Sequence, residues 1–229
     1  LSDLQVEDPV AVPEKESAVN AMISEADKGA LEILALGPLT NLAAAMMKKP
    51  SAMRKVSRIF ISGGCFNKGN VGHLAAYNLW KDADAADFVL GFGVPITMVT
   101  IEAADDEETR LYQGDRERAR SSRCGAFCMD SNTLLYQGNA RYGEAYVTLP
   151  GAAAAAVALA PWLVKESRDS YTRIELSSDL AYGATVNDFR ERDRTEYVAQ
   201  KTVFPPFNCK VVCSLHGESF KSFLFDRIL

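Results

Sequence analysis

Asn70 and Asn78 stand eight positions apart in the stretch GGCFNKGNVGHLAAYN, residues 63–78, with Tyr77 beside the second of them. Each carboxamide carries a donor and an acceptor and no charge, which suits a neutral polyol such as a sugar. Gly63, Gly64, Gly69 and Gly72 let a backbone come close to a ligand. The stretch holds no acidic residue, so it can grip but has no carboxylate for moving a proton. The plainer alternative is that both asparagines cap turns, since Lys-Gly-Asn is turn composition. Phosphate is a poor occupant: Gly64 and Gly69 have the spacing of a P-loop, but Asn70-Val71 follows in place of Lys-Ser/Thr. No Gly-x-Gly-x-x-Gly is present either.

Other reactive side chains are few. His73 lies in the same stretch with no carboxylate near it in sequence, and His216 reads as a surface residue. Cys65 has no neighbouring histidine or arginine to lower its pKa. The remaining cysteines are Cys124, Cys128, Cys209 and Cys213. An odd total argues against a disulfide framework, and two histidines are too few to make either Cys-x3-Cys pair a convincing zinc site. Cys209 and Cys213 read as small buried hydrophobes.

The chain has 229 residues and a net charge of −5, with 48% apolar and 24% charged residues. That is the balance of a globular protein, and 1–229 reads as one domain. No basic block offers the positive field that nucleic acid requires. No 18-residue apolar run is long enough to cross a membrane, and Gly151 to Val164 is too short and too rich in alanine. The sequence starts at Leu1, and no signal peptide can be read. It does not give the compartment, although the lack of Asn-x-Ser/Thr sites tilts toward the cytoplasm.

These residues need elements to position them. Ser17 to Asp27 has helical periodicity, and Leu31 to Leu36 reads as a buried strand. Thr40 is the expected cap of a helix over Asn41 to Lys49, stopped by Pro50. Arg58 to Ser62 reads as a second strand, ending at the glycines. Asp82 and Asp84 start a helix through Leu90, and Val94 to Ile101 reads as a third strand. A helical region over Asp105 to Asn139 follows, with Asp105-Asp106 as its acidic first turn. Ala152 to Ala160 reads as another helix. A charged bend follows Val164, then edge strands over Tyr171 to Leu176 and Val198 to Val203 around a solvated charge run, Arg190 to Glu196. Ser214 to Leu229 closes as an amphipathic helix. Phe204 to Phe207 and Trp162 read as packing against a neighbouring unit. Alternating strands and helices predict an α/β fold with a largely parallel, Rossmann-like sheet flanked by helices, and ligands at the carboxyl ends of its strands.

Four stretches resemble the inosine–uridine-preferring nucleoside hydrolase family. They are LALGPLTNLA at 34–43, ISGG through Gly69-Asn70 and Tyr77-Asn78 to DADAA at 82–86, VPITMV at 94–99, and GATVND at 183–188. The resemblance implies cleavage of the N-glycosidic bond of a ribonucleoside to ribose and free base. It also implies a calcium ion that activates water, and homo-oligomers. By position, the Leu36 carbonyl would be a calcium ligand. Asn70 and Asn78 would hold ribose hydroxyls, with Tyr77 lining the pocket.

The departures from the family pattern shape the expectation. The Asp-x-Asp-x-x-x-Asp-Asp segment that supplies most calcium ligands and the general base is absent, so the sheet is expected to lack its first β-α unit and to need that segment or a partner. Gly151 stands where a metal-binding Asp is usual, Pro150 where many members have His, Ser62 where Met is usual, and Ala76 where Glu holds the ribose. No catalytic residue is retained on this reading. The expectation is a weak or inactive hydrolase that does not hold calcium by itself; the alternative is a non-catalytic sugar-binding or oligomer-forming relative.

Overall fold

The computed structural model describes residues 10–143, 145–190 and 205–229. Helix α1 spans Ala18–Lys28, with the Ser17 side chain accepting from Asn20 N. Strand β1, Glu32–Ala35, leads to α2, Thr40–Lys48, and a single turn α3, Pro50–Met53. Strand β2, Arg58–Ser62, ends at the glycine-rich loop, which runs into α4, Tyr77–Trp80, and α5, Ala83–Leu90. Strand β3, Ile96–Val99, is followed by α6, Ile101–Ala104. A helical excursion holds α7, Gln113–Ala119, α8, Arg123–Ser131, and α9, Thr133–Arg141. Helix α10, Pro150–Leu159, precedes strands β4, Val164–Ile174, β5, Thr185–Asp188, and β6, Cys209–Leu215, and helix α11, Gly217–Ile228, closes the chain.

The six strands form one sheet in the order β1-β2-β3-β6-β4-β5. The first four run parallel, while β4 lies antiparallel to both β6 and β5. Strand periodicity divides the core between two faces. Ile59 and Ile61 of β2 join Ile96, Met98 and Val211 in one cluster, covered by α2 and α5. Phe60 joins Val99 and Val212 in the other, with the alanines of α10 and Phe220 of α11. The alanine run Ala152–Ala156 thus lets α10 lie close against the sheet. At the far edge, Leu34 is exposed on β1 and Leu36 just after it, and among the described residues β1 pairs with β2 alone.

Five local expectations are corrected. Thr40 is no cap: Leu39 occupies that position without a side-chain bond, and the Thr40 hydroxyl donates to Asp82 Oδ2. The charged bend after Val164 is absent, because β4 continues through Lys165 to Ser170 by pairing with β6. The strand read as Tyr171 to Leu176 instead starts at Val164 and ends at Ile174, and its last four residues pair with β5. Asp105 ends α6 rather than opening a helix, and it pairs with Arg110 at 2.8 Å. The closing helix starts at Gly217 rather than Ser214, because Ser214 and Leu215 end the strand Cys209–Leu215 that joins the parallel and antiparallel halves. The suggested strand at Val198 to Val203, the charge run beyond Arg190, and Phe204 lie outside the described residues. Among those residues, no helix is long and apolar enough to cross a membrane.

One ion pair ties the helix layer to β4. Asp87 of α5 accepts from Arg173 Nε at 2.6 Å, Arg173 Nη2 at 2.5 Å and Ile174 N at 3.1 Å. Burial opposes ionisation of Asp87, but the guanidinium and the N–H outweigh it and hold the carboxyl below its ordinary value. A depressed carboxyl stabilises the fold above its unfolded pKa and loses that contribution as the pH falls through the folded one. Asp87→Asn should therefore cost about 1–2 kcal/mol at neutral pH, a figure reduced because Arg173 is half-exposed. In urea titrations the gap from the parent chain should shrink as the pH drops below about 4.

Candidate active site

The carboxyl ends of the parallel strands bring together Leu36-Gly37-Pro38 after β1, the loop 63–78 after β2, Thr100 to Glu102 after β3, and His216 after β6. The loop can turn sharply off β2 only because Gly64 has φ +78°, and a Cβ there would lie 2.5 Å from Met98 Sδ. Its far side doubles back on itself: Asn70 N and Val71 N both donate to the Ala75 carbonyl, at 3.0 and 3.1 Å.

The two asparagines have fixed and opposite orientations. Asn78 Nδ2 donates to the Leu36 carbonyl at 3.2 Å and the Ser62 carbonyl at 2.9 Å, tying the ends of β1 and β2 together. Since carbonyls only accept, this sets the amide and turns Oδ1 away as an acceptor. Asn70 Oδ1 accepts from Tyr77 N at 2.8 Å, which leaves its NH2 as a donor. Asn70 thus does cap the turn into α4, and one end of its amide is still available. Asn70 is exposed, Asn78 half-buried, and the Tyr77 ring is exposed beside Trp80 at 6.1 Å. Ala76 is buried between them.

Gly151, in the first turn of α10, is placed beside Leu36: a Cβ built on it would come 3.9 Å from Leu36 Cδ2 and meet nothing nearer. A Cβ is therefore tolerated at this position. Gly151→Asp should raise stability by about 0.5–1 kcal/mol, from the favourable helix N-terminus and a stiffer unfolded chain. Thermal unfolding at low salt would show it, and the gain should fall as salt is raised.

The GATVND stretch anchors the start of the loop. Cys65 N donates to Thr185 Oγ1 at 2.9 Å, while Thr185 Oγ1 and Asn187 Nδ2 donate to the Cys65 carbonyl at 2.6 and 3.2 Å. Cys65 itself is buried, with its Sγ donating to the Leu74 carbonyl at 3.1 Å. Burial pushes its thiol up to about 11, with the Glu102 charge adding to the effect, so it is no nucleophile. Cys209 is likewise raised to about 12 by burial. His73 and His216 are both exposed.

Sequence reasoning missed Glu102. Its Oε1 accepts from three consecutive loop N–H groups, Phe66 at 2.8 Å, Asn67 at 2.7 Å and Lys68 at 3.2 Å. The only sequence signal was an acid in the first turn of a helix that opens directly after β3, behind the Thr100 cap.

A calcium ion takes six to eight oxygen ligands, several of them carboxylates. Among the described residues, no group of three or more His, Cys, Asp or Glu could hold a metal ion. The Leu36 carbonyl faces the Asn78 amide, and Gly151 offers no donor. These residues do not fit calcium. A groove of about 800 Å³ lined by Arg58, Tyr171, Phe207 and Lys210 lies at the amino ends of β2, β3 and β6, away from the loop. Its Lys210 is paired with Asp169.

Comparison with known proteins agrees with this layout. Residues 1–222 match the family described as inosine-uridine preferring nucleoside hydrolase. The chain is 28% identical over 228 residues to a pyrimidine-specific ribonucleoside hydrolase RihA of Shewanella sp. strain ANA-3, covering 96% of this chain and 67% of that one. It spans about two thirds of the length of this relative. Among solved structures, a purine-preferring ribonucleoside hydrolase from Gardnerella vaginalis superposes with a TM-score of 0.82 at 24% identity, covering 99% of this chain and 69% of the other. A plant nucleoside hydrolase gives 0.81 at 25% identity, covering 96% and 70%.

Proposed function

We infer, for a chain that belongs to the inosine-uridine preferring nucleoside hydrolase family, that the loop after β2 grips the ribose of a ribonucleoside. The observation that carries this is the opposed pair of amides. Asn70 offers a donor and Asn78 an acceptor at one strand-end surface, each locked by bonds that leave the other end of its amide free. A ribose hydroxyl both donates and accepts, so adjacent hydroxyls match such a pair without any charge. Tyr77 supplies an exposed aromatic wall beside them.

Hydrolysis needs an activated water and a group to take its proton. The loop has no carboxylate, and Glu102 is committed to three N–H groups. Calcium does not fit the described residues. On this reading the chain binds a sugar with little or no turnover.

Calorimetric titration with ribose, inosine and uridine, with and without calcium, tests this. A few neutral hydrogen bonds worth about 1 kcal/mol each should give dissociation constants on the order of 1 mM, independent of calcium. Chromatography of the same mixtures should show no free base. No heat from any of the three would overturn the binding. Calcium-dependent release of hypoxanthine or uracil would overturn the lack of turnover and make the chain an N-ribohydrolase.

A further inference from the structure

We propose that Glu102 is the positioning residue of this site: its carboxylate, delivered from α6, holds the loop at Phe66–Lys68 so that Asn70 faces the ligand. The step rests on the ribose-binding reading above and identifies what keeps that loop in its binding shape.

Three successive N–H groups converging on one oxygen form a nest, a concavity that selects an anion. Here the anion is built in. The bonds cross 34 to 36 residues of sequence, so they fasten the loop to α6 rather than to itself. Asn70 lies two residues beyond Lys68, and between them Gly69 N donates to the His73 carbonyl at 3.0 Å. The loop is thus clamped on both sides of its turn: by Thr185 and Asn187 at Cys65, and by Glu102 at Phe66 to Lys68. Without Glu102, the segment from Phe66 to Asn70 would keep only bonds made within the loop.

The other oxygen sharpens the point. Glu102 Oε2 is buried and meets no protein donor. Burying half a carboxylate unpaired is costly, and packing alone would favour an apolar side chain or an amide. What a carboxylate gives in return is one oxygen strong enough to hold three donors, because charge-assisted bonds are about twice as strong as neutral ones.

Two variants and two readouts test this. In Glu102→Ala, amide exchange at Phe66, Asn67 and Lys68 should accelerate by about tenfold or more, with Cys65 N still protected by Thr185. The dissociation constant for inosine should rise by about tenfold, while the melting temperature shifts only slightly. Glu102→Gln keeps the Oε1 acceptor without the charge, and should restore part of both the protection and the affinity. Exchange at the three amides within about twofold of the parent chain would overturn the proposal. So would unchanged inosine affinity in Glu102→Ala, or an affinity loss that merely tracks lost stability in both variants. If the parent chain binds no inosine, the ribose reading fails by itself, and the exchange rates alone decide whether Glu102 positions the loop.

Discussion

Asn78→Asp should destabilise the protein by about 3–4 kcal/mol at neutral pH, the larger of the losses expected from changes at the strand ends. The present amide donates to two carbonyls, those of Leu36 and Ser62. Replacing its NH2 with a carboxylate oxygen removes both bonds and sets negative charge against two acceptors. Each carbonyl left unpaired costs about 1–3 kcal/mol, and the half-buried position limits rescue by water. Asn78→Ala should cost less, about 2–3 kcal/mol, because it removes the bonds without adding a charge. The pH dependence separates the two. The introduced carboxyl is disfavoured in its charged form, so its folded pKa rises above the unfolded value. Its penalty should shrink as the pH falls through that raised pKa, since the protonated acid can donate to one carbonyl again. Asn78→Ala should show no such recovery. Urea unfolding at two pH values distinguishes them, and a pH-independent loss in Asn78→Asp would show that the Nδ2 bonds are not what holds β1 to β2 here.

The fold was legible where its signals were local. Ser17 and Asp82 start helices through their side-chain oxygens and the double glycine ends β2 through its positive φ angles, and those elements stand where the residues put them. Legibility failed where pairing partners are far apart. Lys165 to Ser170 reads as a bend by its charges, yet strand pairing with Val211, Val212 and Ser214 makes it sheet. Context outweighs propensity in strands more than in helices. The same distance hid the clamp at Glu102. Sequence could show that the loop had no acid of its own, but not that α6 would bring one in from more than thirty residues away. Asn70 and Asn78 were legible as residues, while their opposed orientations depend on the backbone groups they meet. Asp105 and Asp106 show the reverse error: two acids suggested a helix start, but Arg110 and Thr109 make them a turn.

Gly69→Ala should cost about 2–3 kcal/mol and remove measurable inosine binding, because the clash it creates has no flexible partner. A Cβ at Gly69 would lie 2.4 Å from both the nitrogen and the oxygen of Ala75. At Gly64 the obstacle is the Met98 side chain, which can change rotamer; at Gly69 it is backbone, and only opening the loop relieves it. Opening breaks the bonds from Gly69 N to His73 O and from Asn70 N and Val71 N to Ala75 O, each worth about 0.5–1.5 kcal/mol. It also moves Ala75 off its bridge to Ala184, where β5 borders the loop. Asn70 is the first residue displaced, and the bond from Tyr77 N to its Oδ1 is lost with it. Glu102 and Thr185 would still hold Phe66 to Lys68 and Cys65, so the damage should stop short of the sheet. Exchange should therefore accelerate at Asn70 and Val71 while Cys65 stays protected. Retained inosine affinity in such a chain would mean that the geometry of Asn70 does not matter to the ligand. Loss of affinity with the sheet intact would locate the sugar grip in the turn from Gly69 to Ala75, whose closeness of approach only glycine permits.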